Sequence, residues 1–199
     1  MLRTFQRRRW LQQIMPQAAL TGPITLILDQ FTGTNGTNLT AHIIAPINTP
    51  ATSWVAKSGS ITIQSNAAQS TGTPDLYSAD AGHADITLTM DWTSAGGISG
   101  VAVRILDTNN YWRITRGVGG QNLLIVEVNA GTPTTRASAS SITGNGQIYV
   151  NTSGATITAK FAGANQISYG SATLNQSNTN HGIYAASSAS YDNCQVTTP

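Results

Sequence analysis

The sequence predicts an all-β fold: a two-sheet antiparallel sandwich preceded by an extended basic arm. Three observations lead to it. Apolar residues recur at every second position through much of the chain, the pattern of strands with one face inward. Clusters of Gly, Asn, Asp and Ser break these runs at short intervals, as turns between strands require. Charged residues make up only 9% of the chain, against roughly 25% in an average soluble domain. Thr, Ser, Asn and Gly replace them, which favours strands and turns over helices. A length of 199 residues and a mass of 20.8 kDa suit one domain that buries about 70% of its unfolded surface. No apolar run reaches the roughly 18–20 residues of a membrane-spanning helix, so no membrane partner is expected.

The first element is the arm, residues 1–28. Arg3, Arg7, Arg8 and Arg9 supply four of the ten basic residues, and no acidic residue precedes Asp29. The arm is therefore +4; the body, with six basic and eight acidic residues, is −2, and the sum is the net +2. Phe5, Trp10, Leu11, Ile14 and Met15 form a ragged apolar set with partial helical spacing, which Pro16 ends. Arg7 to Leu11 looks like an export signal, but Gln12, Gln13, Pro16 and Gln17 interrupt the apolar stretch that such a signal needs. Large apolar side chains favour a docked arm over a free tail, since each one fully buried contributes about 1.5–3 kcal/mol. The docking set is Arg3, Phe5, Arg7, Arg8, Arg9, Trp10, Leu11 and Ile14. Its charge suits an acidic protein surface, and adjacent arginines alone are too common to imply nucleic acid. Extended, such an arm reaches about 90 Å, enough to cross a neighbouring subunit.

The body, residues 29–199, reads as strands from end to end. Ile86, Leu88, Met90 and Trp92 alternate with Thr87, Thr89 and Asp91; Val101, Val103 and Ile105 alternate with Ala102 and Arg104; Ile157, Ala159 and Phe161 alternate with Thr158 and Lys160. Further strands are predicted over 24–31, 39–45, 60–65, 111–116, 123–129, 134–139, 147–150, 166–169, 182–186 and 191–197. Turn signals separate them: Gly33 to Gly36, Ala95 to Gly97, Asp107 to Asn110, Gly117 to Gly120, Gly144 to Gly146 and Ser153-Gly154. About a dozen strands exceed the need of an immunoglobulin domain and fit a large jelly roll.

Certain residues, taken in order, carry a resemblance. Asp29-Gln30-Phe31 opens the body, then come Leu39, Trp54, Ile61-Thr62-Ile63 and Asp85 to Leu88. Gly100-Val101-Ala102-Val103-Arg104 and Asp107 to Trp112 follow, and His181-Gly182-Ile183 and Asp192-Asn193-Cys194-Gln195-Val196 close the chain. This order resembles the concanavalin A-like, or laminin-G-like, jelly rolls of bacteriophage virion proteins and bacterial surface proteins. Those domains open with Asp-x-Phe, carry a Gly-hydrophobic-x-hydrophobic-Arg strand and end on an Asp-Asn-Phe-x-Val-like strand, where this chain has Cys194. With a short basic arm in front, the chain resembles minor tail or capsid decoration proteins of actinobacterial phages. The resemblance implies a non-enzymatic virion structural protein on the particle surface, made in the bacterial cytoplasm, homo-oligomeric, and anchored by its arm to other tail or capsid subunits. It implies no cofactor. A carbohydrate-binding adhesin for host-surface glycans is the alternative.

Residues capable of chemistry are sparse. Glycoside hydrolysis uses a pair of carboxylates across the scissile bond. Enzymes of the resembled family carry Glu-x-Asp-x-x-Glu on one strand, and here the single glutamate, Glu127, stands alone in Val126-Glu127-Val128. Asp85 and Asp91 share a face by parity but sit about 20 Å apart. No Gly-x-Ser-x-Gly elbow is present, and His42, His83 and His181 fall in separate segments. No catalytic residue is therefore assigned. Cys194 reads as a small buried hydrophobe. Asp107-Thr108-Asn109-Asn110 reads as a hairpin turn rather than a cation loop, and no metal ligand is assigned. Sugar stacking is the remaining candidate. Trp54 begins a strand, and Tyr111 beside Trp112 puts one ring on each face, which makes Trp54, Tyr111 and Trp112 the candidate glycan platform.

Overall fold

A computed structural model describes residues 22–44, 53–72, 74–94, 97–116, 122–140, 144–162 and 164–199. The arm residues Arg3, Phe5, Arg7, Arg8, Arg9, Trp10, Leu11 and Ile14 lie outside these. The described residues form strands β1 (Thr25–Asp29), β2 (Val55–Ser58), β3 (Ile61–Gln64), β4 (Ala67–Thr71), β5 (Asp75–Asp80), β6 (Ile86–Ser94), β7 (Ser99–Asp107) and β8 (Asn110–Arg116). They continue with β9 (Asn122–Asn129), β10 (Thr132–Ser140), β11 (Gly146–Ser153), β12 (Thr156–Phe161), β13 (Ala164–Tyr169), β14 (Asn180–Ala185) and β15 (Ser188–Thr197).

The strands make two antiparallel sheets packed face to face. One has the order β13-β12-β11-β6-β15-β4-β3, with β1 also paired to β15; the other has the order β10-β9-β8-β7-β14-β5-β2. The alternation read from the sequence decides which side chains enter the space between them. Ile86, Leu88, Met90 and Trp92 of β6, Val101 and Val103 of β7, and Ile157, Ala159 and Phe161 of β12 all join one core. In β6 and β12 the polar neighbours face out, so a shift of one residue would exchange the two faces. Buried indole N–H groups need acceptors, and each has one: Trp54 donates to Asp29 Oδ2 at 2.8 Å, Trp92 to Ser99 Oγ at 3.1 Å, and Trp112 to the Leu174 carbonyl at 3.0 Å.

Two features depart from the sequence reading. The predicted strand over 39–45 is instead a single 3-10 turn at Leu39–Ala41, started by Asn38, whose side-chain oxygen accepts the Thr40 N–H at 2.9 Å. A local side chain to backbone bond here competes with extended structure. Conversely, β4 and β5 form where no strand is predicted, while β2 follows directly on the strand start read at Trp54. The Ala-Ala-Gln-Ser-Thr and Asp-Leu-Tyr-Ser-Ala-Asp runs of β4 and β5 lack strong alternation, and β5 is buried at Asp75 through Ala79. A strand covered on both faces loses the period-two signal.

The opening and closing motifs have structural jobs. The Asp29 carboxylate accepts from the Phe31 N–H, His42 Nε2 and Trp54 Nε1, each at 2.8 Å, and so ties β1 to the following loop. Phe31 takes the left-handed conformation, φ 48°, to fit this bracket. In β15 a bulge near Asn193, φ 48°, lets the strand pair with β4 through Ser188–Tyr191 and then with β1 through Cys194–Thr197. Cys194 is buried, and burial raises its thiol pKa well above the ordinary value, so it behaves as a small hydrophobe.

Glycine permits the closest strand approach. A Cβ at Gly182 in β14 would stand 2.1 Å from the Tyr77 carbonyl of β5, whereas a Cβ at Gly170 would meet nothing within 4 Å. Gly182→Ala is expected to lower unfolding free energy by about 1–3 kcal/mol, and Gly170→Ala to leave it within about 0.5 kcal/mol, as read from urea denaturation.

Candidate functional site

One end of the sandwich gathers the β5–β6 loop (81–85), the β11–β12 turn (154–155), the β13–β14 loop (170–179) and the terminal Thr198-Pro199. These segments lack ladder partners, so side chains hold them. Arg104, at the far half of β7, is the main bracket. A bulge between Val103 and Asp107 and a left-handed φ of 53° turn it out of the strand alternation. Its guanidinium is fully buried and donates to Asp85 Oδ1 at 3.0 Å, to the Ala172 carbonyl at 3.0 Å and to the Gly154 carbonyl at 2.6 Å. Asp85 Oδ2 in turn accepts the Gly154 N–H at 3.0 Å. Asn175 donates to the carbonyls of Arg104, at 3.3 Å, and Asn110, at 2.8 Å. Burial lowers the arginine pKa, and the Asp85 charge opposes that shift.

His181 completes the frame. Its Nδ1 accepts the Arg104 N–H at 3.3 Å and its Nε2 donates to the His83 carbonyl at 2.9 Å, which fixes a neutral ring with the proton on Nε2. Desolvation pulls its pKa down to about 4, with Arg104 adding to the shift and the His83 carbonyl, Asp80 and Asp85 opposing it.

Over this frame lies an open cleft of about 780 Å3, lined by His83, Ala84, Asp85, Thr173, Asn175, Gln176, Ser177, Thr198 and Pro199. The lining offers amides, hydroxyls and one carboxylate. Such a surface recognises a ligand by hydrogen bonds, and the Asp85 side chain, 46% exposed, is the strongest acceptor there.

The sequence-predicted sugar platform requires correction. Trp54 is 2% exposed, donates to Asp29 and packs on Phe31 with ring centroids 5.7 Å apart. Trp112 is 0% exposed and lies against Tyr169 at 5.7 Å. Tyr111 does point to the opposite face, but it is 6% exposed in a second apolar cluster with Leu76, Ala102, Ile105, Val128 and Tyr184. The three rings belong to packing, because each buries a large apolar area. No single motif marks the cleft in the sequence. The only signal is the polar run from Asn175 to Asn180 between two strands.

The other carboxylates have structural partners. Glu127 pairs with Arg136, Nη2 to Oε2 at 2.5 Å. Asp107 accepts the Asn109 N–H at 2.7 Å, which holds its pKa below the usual carboxylate value and makes 107–110 a capped turn. Asp91 accepts from Gln147 at 3.2 Å and Asn193 at 2.8 Å, on the outer face of its sheet.

No protein-family model matches the sequence, and no curated protein does. Solved structures do share the fold. The carbohydrate-binding module CBM66 from Bacillus subtilis superposes with a TM-score of 0.66 at 14% identity, over 75% of this chain and 98% of the module. The GH43 protein BlXynB from Bacillus licheniformis gives 0.55 at 13% identity, over 70% of this chain and only 34% of that one. A putative glycosyl hydrolase from Parabacteroides distasonis gives 0.54 at 8% identity, over 73% of this chain and 88% of that one. At such identities the likeness shows the fold: a jelly-roll sandwich, consistent with the concanavalin A-like reading.

Two outcomes are expected from the frame. The unfolded state binds a proton at His181 near pH 6.5, while the folded state resists until about pH 4. Stability is therefore lost as pH falls through that window, by about 3 kcal/mol in all. Urea unfolding as a function of pH measures the slope, and His181→Gln should flatten it. Arg104→Met takes one donor from Asp85 and from each of two carbonyls, and is expected to cost about 1–3 kcal/mol by the same assay.

Proposed function

We propose that the chain is a non-catalytic carbohydrate-binding module whose ligand sits in the cleft at the Arg104 end of the sandwich. The observation that carries this reading is the extent of the fold match. The chain's sandwich spans 98% of a module whose printed name is carbohydrate-binding, and not just part of a larger enzyme. The cleft supports it chemically, because hydroxyl-rich ligands suit a lining of amides, hydroxyls and a single carboxylate. The non-catalytic reading is supported by the carboxylates. Among the described residues only Asp85 brings a carboxylate side chain to the cleft lining, and Glu127 is paired to Arg136 elsewhere.

The test is a glycan array with the full chain, followed by calorimetry on the best ligand. Thr173→Ala combined with Gln176→Ala removes two exposed donors from the lining, and is expected to weaken binding about tenfold with unfolding unchanged. Absence of binding across the array, or binding indifferent to these substitutions, would overturn the assignment of the cleft.

A second reading joins this one through the arm. Four arginines and the apolar Phe5, Trp10 and Leu11 in residues 1–28 favour anchoring to a larger assembly. The phage-virion reading makes that assembly a tail or capsid built of several copies, with the module displayed outside for host glycans. Removing residues 1–22 is expected to leave the body folded and abolish particle incorporation. Incorporation of the truncated chain at the normal level would refute the anchoring role.

A further inference from the structure

The charge layout of the cleft selects among sugars, an inference that rests on the glycan reading above. Among the described lining residues there is one carboxylate side chain, Asp85, one imidazole, His83, and no lysine or arginine. The cation beside it, Arg104, is 0% exposed and lies behind the carboxylate, with Nη1 on the Ala172 carbonyl and Nη2 on Asp85 and the Gly154 carbonyl. Its charge is thus turned to the protein and not to the cleft. A ligand anion entering here meets the exposed oxygens of Asp85 first, and the offsetting Arg104 cation lies behind them out of reach of the cleft, an order of charges that disfavours anions.

Asp85 is also oriented before any ligand arrives. Oδ1 takes the Arg104 Nη2 hydrogen at 3.0 Å and Oδ2 the Gly154 N–H at 3.0 Å, so both oxygens are fixed in place. Each carboxylate oxygen still has a free lone pair, and 46% of the side chain is exposed. That leaves two adjacent acceptors at a fixed spacing, which matches neighbouring hydroxyl groups. Thr173, Gln176 and Ser177 supply exposed groups around them. We propose that Asp85 is the specificity-determining acceptor of the cleft: it accepts a pair of adjacent hydroxyls from an uncharged sugar, and its charge excludes uronic, sialic and sulfated sugars.

The test titrates the full chain with an uncharged oligosaccharide that binds on the array and with its uronate and sulfated counterparts, at low and high salt. The uncharged ligand should bind with affinity changing less than about twofold with salt, and the anionic ones at least about tenfold more weakly at low salt. Asp85→Asn should weaken the uncharged ligand about tenfold and narrow the gap to the anionic ones. Near-UV circular dichroism checks that this variant retains its packing. Gln176→Lys serves as the second variant, because it adds a cation to the lining and leaves the Asp85–Arg104 pair untouched; it should improve anionic ligands about tenfold. Tighter binding of the anionic ligand by the unaltered chain, or an Asp85→Asn variant that keeps both its fold and full affinity, would overturn the role of Asp85 while leaving the cleft a glycan site. Absence of binding to every sugar, charged or not, would remove the glycan reading and this inference together.

Discussion

The buried guanidinium of Arg104 is the constraint on which the functional end of the molecule depends. Moving a charge out of water costs several kcal/mol even after relaxation. The fold offsets that cost with one carboxylate and two carbonyls, and each acceptor comes from a different loop: Asp85 from β5–β6, Gly154 from β11–β12, Ala172 from β13–β14. A cation that must collect three acceptors therefore fixes three loops at once. Remove it and the Ala172 and Gly154 carbonyls lose this donor, while Asp85 keeps only the Gly154 N–H and solvent.

The backbone at Arg104 bears the consequence. Strict alternation would send residue 104 to the outer face with Ala102, away from the loops that need it. The bulge and the left-handed φ of 53° break the alternation and redirect the side chain. A non-glycine residue in that region costs of order 1–3 kcal/mol and persists only where its surroundings over-determine it. Here they do, because the Arg104 N–H is bound to His181 and its carbonyl to Asn175. The strain and the bracket are one device. Its product is a cleft whose strongest acceptor is held still from behind.

This device also marks the limit of what the sequence discloses. Alternation in β6 and β12 is visible because one face is apolar and the other polar; β7 lies where it is expected, but both its faces are covered and its bulge moves Ile105 from the face of Val101 and Val103 to that of Ala102. The strand β5 is hidden because both its faces are covered, and the turn at Leu39–Ala41 is hidden because one Asn38 hydrogen bond decides it. Aromatic residues were the natural candidates for a sugar platform, yet Trp54 and Trp112 serve packing, since a sandwich must fill the wide space between its sheets. The cleft brings residues 83–85 together with 173–177 and 198–199, and in the frame beneath it the His83 carbonyl meets His181 across a separation of 98. No local motif can encode such a meeting. Only the polar run from Asn175 to Asn180 marks one wall of the cleft.

The same logic accounts for the low charge of the body. A fold made of short strands has many turns, and turn N–H groups have no ladder partner. Six of the eight carboxylates answer that need, accepting backbone N–H groups from Phe31, Ser60, Gly82, Gly154, Asn109 and Asn193. The two exceptions, Asp91 and Glu127, stand inside strands β6 and β9, where the ladder already uses the backbone, and they bind side chains instead. Carboxylates are thus kept mainly where a loop must be closed, and Thr, Ser and Asn cover the rest. Asp85 differs from the other loop brackets in one respect: the loop it closes is the wall of a cleft, so the acceptor that secures the fold is also the acceptor that a ligand meets.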